Sequence, residues 1–236
     1  MILDQFKLHS FVFQIEYETA FVLWDCAGKI SGSLQKIWPG LKLADAQPHQ
    51  QDLRSDGVHI QTSLEKATIS LTGANSLEAG RVQQLKETFE VWRAELELSD
   101  VKRISTRGTY LREYSSLKEA NAGLLELGLV RWPTAKVFDQ PLDSERNGVE
   151  VHFRFEDKES FSLLRFKAEE ILYKIDLDSR FVENREIRST KRHMVIDFDR
   201  GLLGSVSAQK FRMEEWIKGY VHLLRRDIEK ITRAEK

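Results

Sequence analysis

From Phe6 to Glu18 the chain alternates, with Phe11, Phe13, Ile15 and Tyr17 on one side of an extended backbone and Val12, Gln14, Glu16 and Glu18 on the other. Successive side chains of a strand point to opposite faces, so this pattern predicts a half-buried strand. After Thr19, whose hydroxyl can cap a first helical turn, the spacing becomes helical. Leu23, Ala27, Ile30, Leu34 and Ile37 recur on one side until Pro39 and Gly40 end the run. Residues 41–56 are polar, follow neither period and read as a connection. Two β-branched runs, GVHIQTSL and ATISLTG, follow as a hairpin with Glu65 and Lys66 at its tip. From a cap at Asn75 or Ser76 to Leu98, the residues Leu85, Phe89, Trp92 and Leu96 mark a second helix with one apolar side.

The run VKRISTRGTYLREY predicts a strand with Arg103, Ser105, Arg107 and Thr109 on one side and Lys102, Ile104, Thr106 and Tyr110 on the other. Polar residues on both sides, Lys and Arg among them, suit the edge of a sheet, where the strand is expected to lie. SSLKEANAGLLELGL reads as a short helix capped by Ser115, and RWPTAKVFDQPLDSERNG, with two prolines and Asn147-Gly148, as a linker. Val149, Val151, Phe153 and Phe155 then alternate with polar residues in a clear strand. The run Phe161 to Ile175 fits a strand or a helix, and the turn Glu156-Asp157-Lys158-Glu159 before it favours the strand. KRHMVIDFD is a further strand, broken after Asp199 by Gly201 and Gly204. Finally Met213, Ile217, Tyr220, Leu224, Ile228 and Ile231 define a long amphipathic helix from about Ser207 to Ala234.

A hairpin followed by a long helix thus occurs twice. The expected architecture is an α+β protein of two sheet-plus-helix modules, mainly antiparallel: residues 1–130, a linker at 131–148, and residues 149–236 ending in the C-terminal amphipathic helix.

Composition narrows the functional field. Lys and Arg total 36 against 37 Asp and Glu, so no global field draws the protein to polyanions, and any such binding has to be local. The single cysteine, Cys26, excludes an internal disulfide and a Cys-based zinc cluster and fits a reducing compartment. The start, MILDQFKLHSF, lacks the continuous apolar core of a signal peptide, and no run is long enough for a membrane span, so a cytoplasmic protein is expected.

The phosphate-loop, dinucleotide-binding, zinc-protease, nucleophile-elbow and EF-hand patterns are all missing from the sequence, and no cofactor is implied. One constellation carries candidate chemistry. His193, Asp197 and Asp199 share a strand face and are the candidate catalytic set; Glu150, His152 and Glu156 share a face of another strand. Should the strands adjoin, Glu150, His152, His193 and Asp197 are the candidate metal ligands, since imidazoles and carboxylates converging on one point hold a divalent ion or transfer protons. A second set, Arg103, Arg107 and Arg112 with Tyr110, joined by Lys102 and Tyr114, is a candidate binding surface for nucleic acid, combining phosphate-neutralising cations with rings that stack on bases.

The order of ISLTG, a helix holding FEVW, the RISTRGTYLREY strand with its central arginine, and a C-terminal FDR strand before a long helix resembles a sporadically distributed bacterial family of uncharacterised proteins of about this length. Arg107-Gly108-Thr109-Tyr110 departs from that family's arginine-rich, aromatic and asparagine pattern. The resemblance implies no catalytic residue; it implies a mobile gene in a defence- or toxin-associated setting. Taken together, the expectation is a non-catalytic binding or regulatory protein of the bacterial cytoplasm that holds a protein partner. A metal-dependent hydrolase or nuclease built on the His/Asp face, and a nucleic-acid-binding protein, are the alternatives.

Overall fold

The structure, a computed structural model, describes residues 2–75, 77–130, 148–176 and 186–232. After a short 3-10 turn at Leu3–Gln5 come β1 (Lys7–Glu16), α1 (Leu23–Ile37), β2 (Lys42–Gln47), β3 (Gln50–Ser55), β4 (Val58–Ser63), β5 (Lys66–Asn75) and α2 (Ala79–Glu95). The second half supplies β6 (Asp100–Tyr114), α3 (Leu117–Glu126), β7 (Glu150–Glu156), β8 (Ser160–Asp176), β9 (Glu186–Ser207) and α4 (Met213–Thr232). The strands form one nine-stranded sheet, ordered β2-β3-β4-β5-β1-β6-β9-β8-β7, and every pairing is antiparallel. The fold is α+β.

The four described helices lie on one face of this sheet. The alternation of β1 sends Phe11, Phe13 and Ile15 into that layer, all fully buried. There Phe13 meets Phe89 of α2 edge-on, and Phe11 meets Tyr220 of α4 in the same way. Leu124 of α3 joins the same core cluster, with Gly123 set against Tyr114. Three buried indoles tie the layer together through threonine hydroxyls. Trp38 donates to Thr88 at 2.8 Å, Trp92 of α2 to Thr62 of β4 at 3.0 Å, and Trp216 of α4 to Thr106 of β6 at 2.7 Å. Each bond lets a bulky ring be buried with its single donor satisfied. Tyr220 donates to the carbonyl of Phe198 and crowds Gly108, where a Cβ would stand 2.6 Å from its hydroxyl.

Several sequence expectations are corrected. Residues 41–56 are not a bare connection but hold β2 and β3; β2 is exposed along its length at the sheet edge and so has no apolar period to read. Thr19 caps nothing: α1 starts at Leu23 without a side-chain cap, and the Thr19 hydroxyl donates to Glu65. The N-cap of α2 is Glu78, in place of the expected Asn75 or Ser76. α2 closes at Glu95, with Glu97 in the left-handed region. The cap of α3 is Ser116, which accepts from the Glu119 amide, while Ser115 hydrogen-bonds the Glu119 carboxylate.

The largest correction concerns β6, which is no edge strand but runs through the centre of the sheet between β1 and β9. Its polar side is tolerated because it turns to the face without described helices and is met there by carboxylates. β9 continues through Gly201 and Gly204 instead of breaking at them. α4 begins at Met213, later than Ser207, because β9 uses the residues up to Ser207. The run from Phe161 to Ile175 is a strand, paired to both β7 and β9. Most of the expected linker, Trp132 included, lies outside the described residues.

Candidate functional site

Antiparallel register decides what the face free of helices among the described residues, hereafter the helix-free face, presents. Thr109 of β6 stands opposite Asp197 of β9, which stands opposite Arg165 of β8, which stands opposite His152 of β7. The next row runs Val12, Arg107, Asp199, Leu163 and Arg154. Arg107 thus reaches Asp197 diagonally across two adjacent strands. The guanidinium donates through Nε at 2.7 Å and through a terminal nitrogen at 2.6 Å, a fork-on-carboxylate pair, and Arg165 adds a third contact at 3.3 Å. The Asp197 side chain is 7 % exposed and that of Arg107 48 % exposed, so the anion is sunk in the sheet and the cation reaches out of it. The bond to Asp197 raises the Arg107 pKa above its ordinary value.

Asp199, one pleat further on, is in a different position. Its Oδ1 is buried with no hydrogen-bond partner. Burial raises its carboxyl pKa above the ordinary value, with the like charge of Asp197 adding to that and Arg107, Arg103 and Arg165 opposing it. Beside it, Arg103 lies 5.2 Å over the ring of Phe161 and its terminal nitrogen is 3.8 Å from Glu16. The Phe161 ring crosses the backbone at Gly201; a Cβ there would meet the ring and stand 2.7 Å from the Ile104 carbonyl oxygen.

The candidate residues are thus distributed unevenly. Asp197 and Asp199 adjoin, whereas His193 sits two pleats away on β9, buried, with Nδ1 unpartnered, between Glu113 and Glu169 in the register. Burial lowers its pKa and so favours the neutral imidazole. Glu150 and His152 pair with each other at 2.9 Å on β7. Among the described residues no three His, Cys, Asp or Glu side chains are grouped to hold a metal ion, and Asp197 is already engaged by two guanidinium groups. The proposed arginine surface is divided between two faces. Arg103 and Arg107 belong to the helix-free face, while Tyr110 is buried in the helical layer and Arg112, stacked on Tyr114 at 4.9 Å, binds Gln5.

Three residues of this site, Arg165, Phe161 and Arg154, were not among the sequence candidates. For Phe161 and Arg165 the signal lies in the alternation of Phe161, Leu163, Arg165 and Lys167 against Leu164, Phe166 and Ala168, which reads cleanly once the run is taken as a strand; for Arg154 it lies in the polar side of β7. Comparison of the chain with protein-family models and with curated proteins found no match. No helix among the described residues is long and apolar enough to cross a membrane.

Proposed function

We propose that this protein is a non-catalytic binding protein that holds a protein partner on the helix-free face of its sheet, centred on Arg107. The observation that carries the reading is the Arg107–Asp197 pair: a buried carboxylate fixes the direction of a guanidinium that remains half exposed. A side chain held this way loses little freedom on binding, which is what makes arginine effective at interfaces. The surrounding charges are mixed, with Arg54 and His59 on Asp52, Arg103 near Glu16 and Arg154 beside Glu156. Such a surface suits the mixed charge of another protein better than the uniform charge of a polyanion.

The same proposal includes two modules. The first half runs strand, helix, four strands, helix, and the second strand, helix, three described strands, helix, with β1 and β6 side by side at the centre. This order supports an internal repeat, with its halves meeting between α2 and β6 and not at the expected linker of residues 131–148. The mobile, defence- or toxin-associated setting in the bacterial cytoplasm, implied by the family resemblance, belongs to the proposal too.

The test is affinity purification from the host with cross-linking, using wild type, an Arg54→Glu/Arg107→Glu variant and an Arg226→Glu control on α4. A specific protein should be retained by wild type and by the control and lost by the double variant. Retention that ignores the double variant, or no retained protein at all, overturns the reading. Retention of nucleic acid with a steep salt dependence would replace it with the polyanion alternative.

A further inference from the structure

The sheet ends in two edges, β2 and β7, and they are built differently. β2 is exposed along its length, and its pairing to β3 slips between Leu43 and Asp45, an irregularity of the kind that turns an edge away from further pairing. β7 pairs with β8 in unbroken register from Glu150 to Glu156 and contains neither proline nor lysine. Among the described residues no strand covers its other side, so alternate N–H and C=O groups of β7 face outwards. Phe155, stacked on Phe153 at 6.5 Å, is 54 % exposed.

The side chains of β7 select the strand that completes it. Two antiparallel copies related by a two-fold axis normal to the sheet keep each face with itself, so the axis passes through one residue of the strand. With the axis at His152, Glu150 of each copy stands opposite Arg154 of the other, while on the helical face Val151 stands opposite Phe153 and Val149 opposite Phe155. Moved by one residue to Phe153, the axis sets Glu150 against Glu156 and His152 against Arg154. Moved again to Arg154, it sets that guanidinium against its own copy and His152 against Glu156. Opposite charges facing each other across a strand pair attract and like charges repel. Only the first register sets carboxylates against guanidinium groups, and it does so twice. Within one copy Glu150 pairs with His152 and Arg154 with Glu156, but all four are exposed, and exposed pairs exchange partners at little cost.

We propose that β7 pairs antiparallel with β7 of a second copy of this chain about an axis at His152, joining the two sheets edge to edge and their helix-free faces into one surface. The edge and the Arg107 site use different residues, so either reading can fail without the other.

Sedimentation equilibrium at low salt tests it, with the fold of each variant checked by circular dichroism. Wild type should form a dimer at or below about 0.5 mM, weak association being expected where the shared edge is one short strand. Glu150→Arg and Arg154→Glu, each alone, place like charges opposite one another across the axis and should weaken the dimer at least about tenfold. Mixed in equal amounts, the two variants should associate about as tightly as wild type, because each supplies the charge the other lacks. A wild type that stays monomeric, a dimer indifferent to both single substitutions, or variants that stay apart on mixing overturns the proposal. Amide exchange of wild type gives a reading that needs no variant: the outward amides of β7 should slow as the concentration rises through the dimerisation range, and unchanged exchange there overturns the proposal as well.

Discussion

Replacing Thr106 by Val removes one hydroxyl from the centre of the sheet while keeping the shape of the side chain. Thr106 is 0 % exposed and its Oγ1 is the acceptor for the Trp216 indole N–H at 2.7 Å. Valine leaves that donor buried without an acceptor, which costs about 1–3 kcal/mol. Trp216 is itself 9 % exposed, so water can relieve part of the loss, and about 1.5 kcal/mol is expected. For a chain of this length each kcal/mol lowers Tm by about 2–4 °C, which gives a fall of roughly 3–6 °C. Urea unfolding followed by tryptophan fluorescence and circular dichroism, with extrapolation to zero denaturant, measures the effect. Thr109→Val, three residues along the same strand but on the helix-free face, is the control and should stay within about 0.5 kcal/mol of wild type. In a double-mutant cycle with Trp216→Phe, the second substitution should cost less once the first is made, because a phenyl ring has no N–H to satisfy. A Thr106→Val protein as stable as wild type, or additive costs in the cycle, would refute the placement of α4 on β6 through this bond.

Gly201→Ala should destabilise by about 2 kcal/mol or more, because its Cβ meets the Phe161 ring and the Ile104 carbonyl, whereas Gly28→Ala in α1, with nothing within 4 Å, should stabilise by about 0.5–1 kcal/mol; denaturant midpoints separate the two. Asp197→Asn should cost about 1–2 kcal/mol at pH 7 by weakening the Arg107 fork, and thermal unfolding at low and high salt should give nearly the same loss since the carboxylate is buried. Asp199 and His193 give opposite pH signatures in Tm measured from pH 3 to 8. The folded pKa of Asp199 is raised, so its contribution is fully present below about 3.9 and is lost as pH rises through the folded value; Asp199→Asn should therefore gain on wild type towards neutral pH. The folded pKa of His193 is lowered, so its contribution is present above about 6.5 and is lost as pH falls through the folded value; His193→Gln should flatten the acid limb.

Much of the architecture can be read from periodicity because the helical layer covers one face only. Wherever a strand has one side against that layer, as in β1 with Phe11, Phe13 and Ile15, alternation is plain. The same logic assigns the two sides of β6 correctly from Arg103 to Tyr110 while misplacing the strand, since polarity of a face says what it meets and not how many neighbours the strand has; Lys102 does not follow, because a register shift between Val101 and Arg103 buries Val101 and leaves Lys102 exposed. β2 escapes because an exposed edge imposes no pattern. The run of β8 holds apolar residues at helical spacing, and what decides for the strand is local: Asp157 accepts from the amides of Glu159 and Ser160 and turns the chain back. At the site, Arg107 and Asp197 each stand out in the sequence, but for unrelated chemistries. Their union depends on the register of two strands far apart in the chain, which no local signal encodes.

The position of β1 also bears on how the chain is made. Its partner on one side, β5, completes the pairing by Asn75, but its partner on the other, β6, ends only at Tyr114. At about 5–20 residues per second, a ribosome leaves one edge of β1 without its strand for a few seconds after β5 has emerged. During that interval the growing chain carries a bare strand edge flanked by large apolar side chains, the kind of template on which neighbouring nascent chains pair. Slow synthesis between residues 76 and 114 would lengthen this exposure, so expression yield should be sensitive to codon choice there more than in the segment encoding α4.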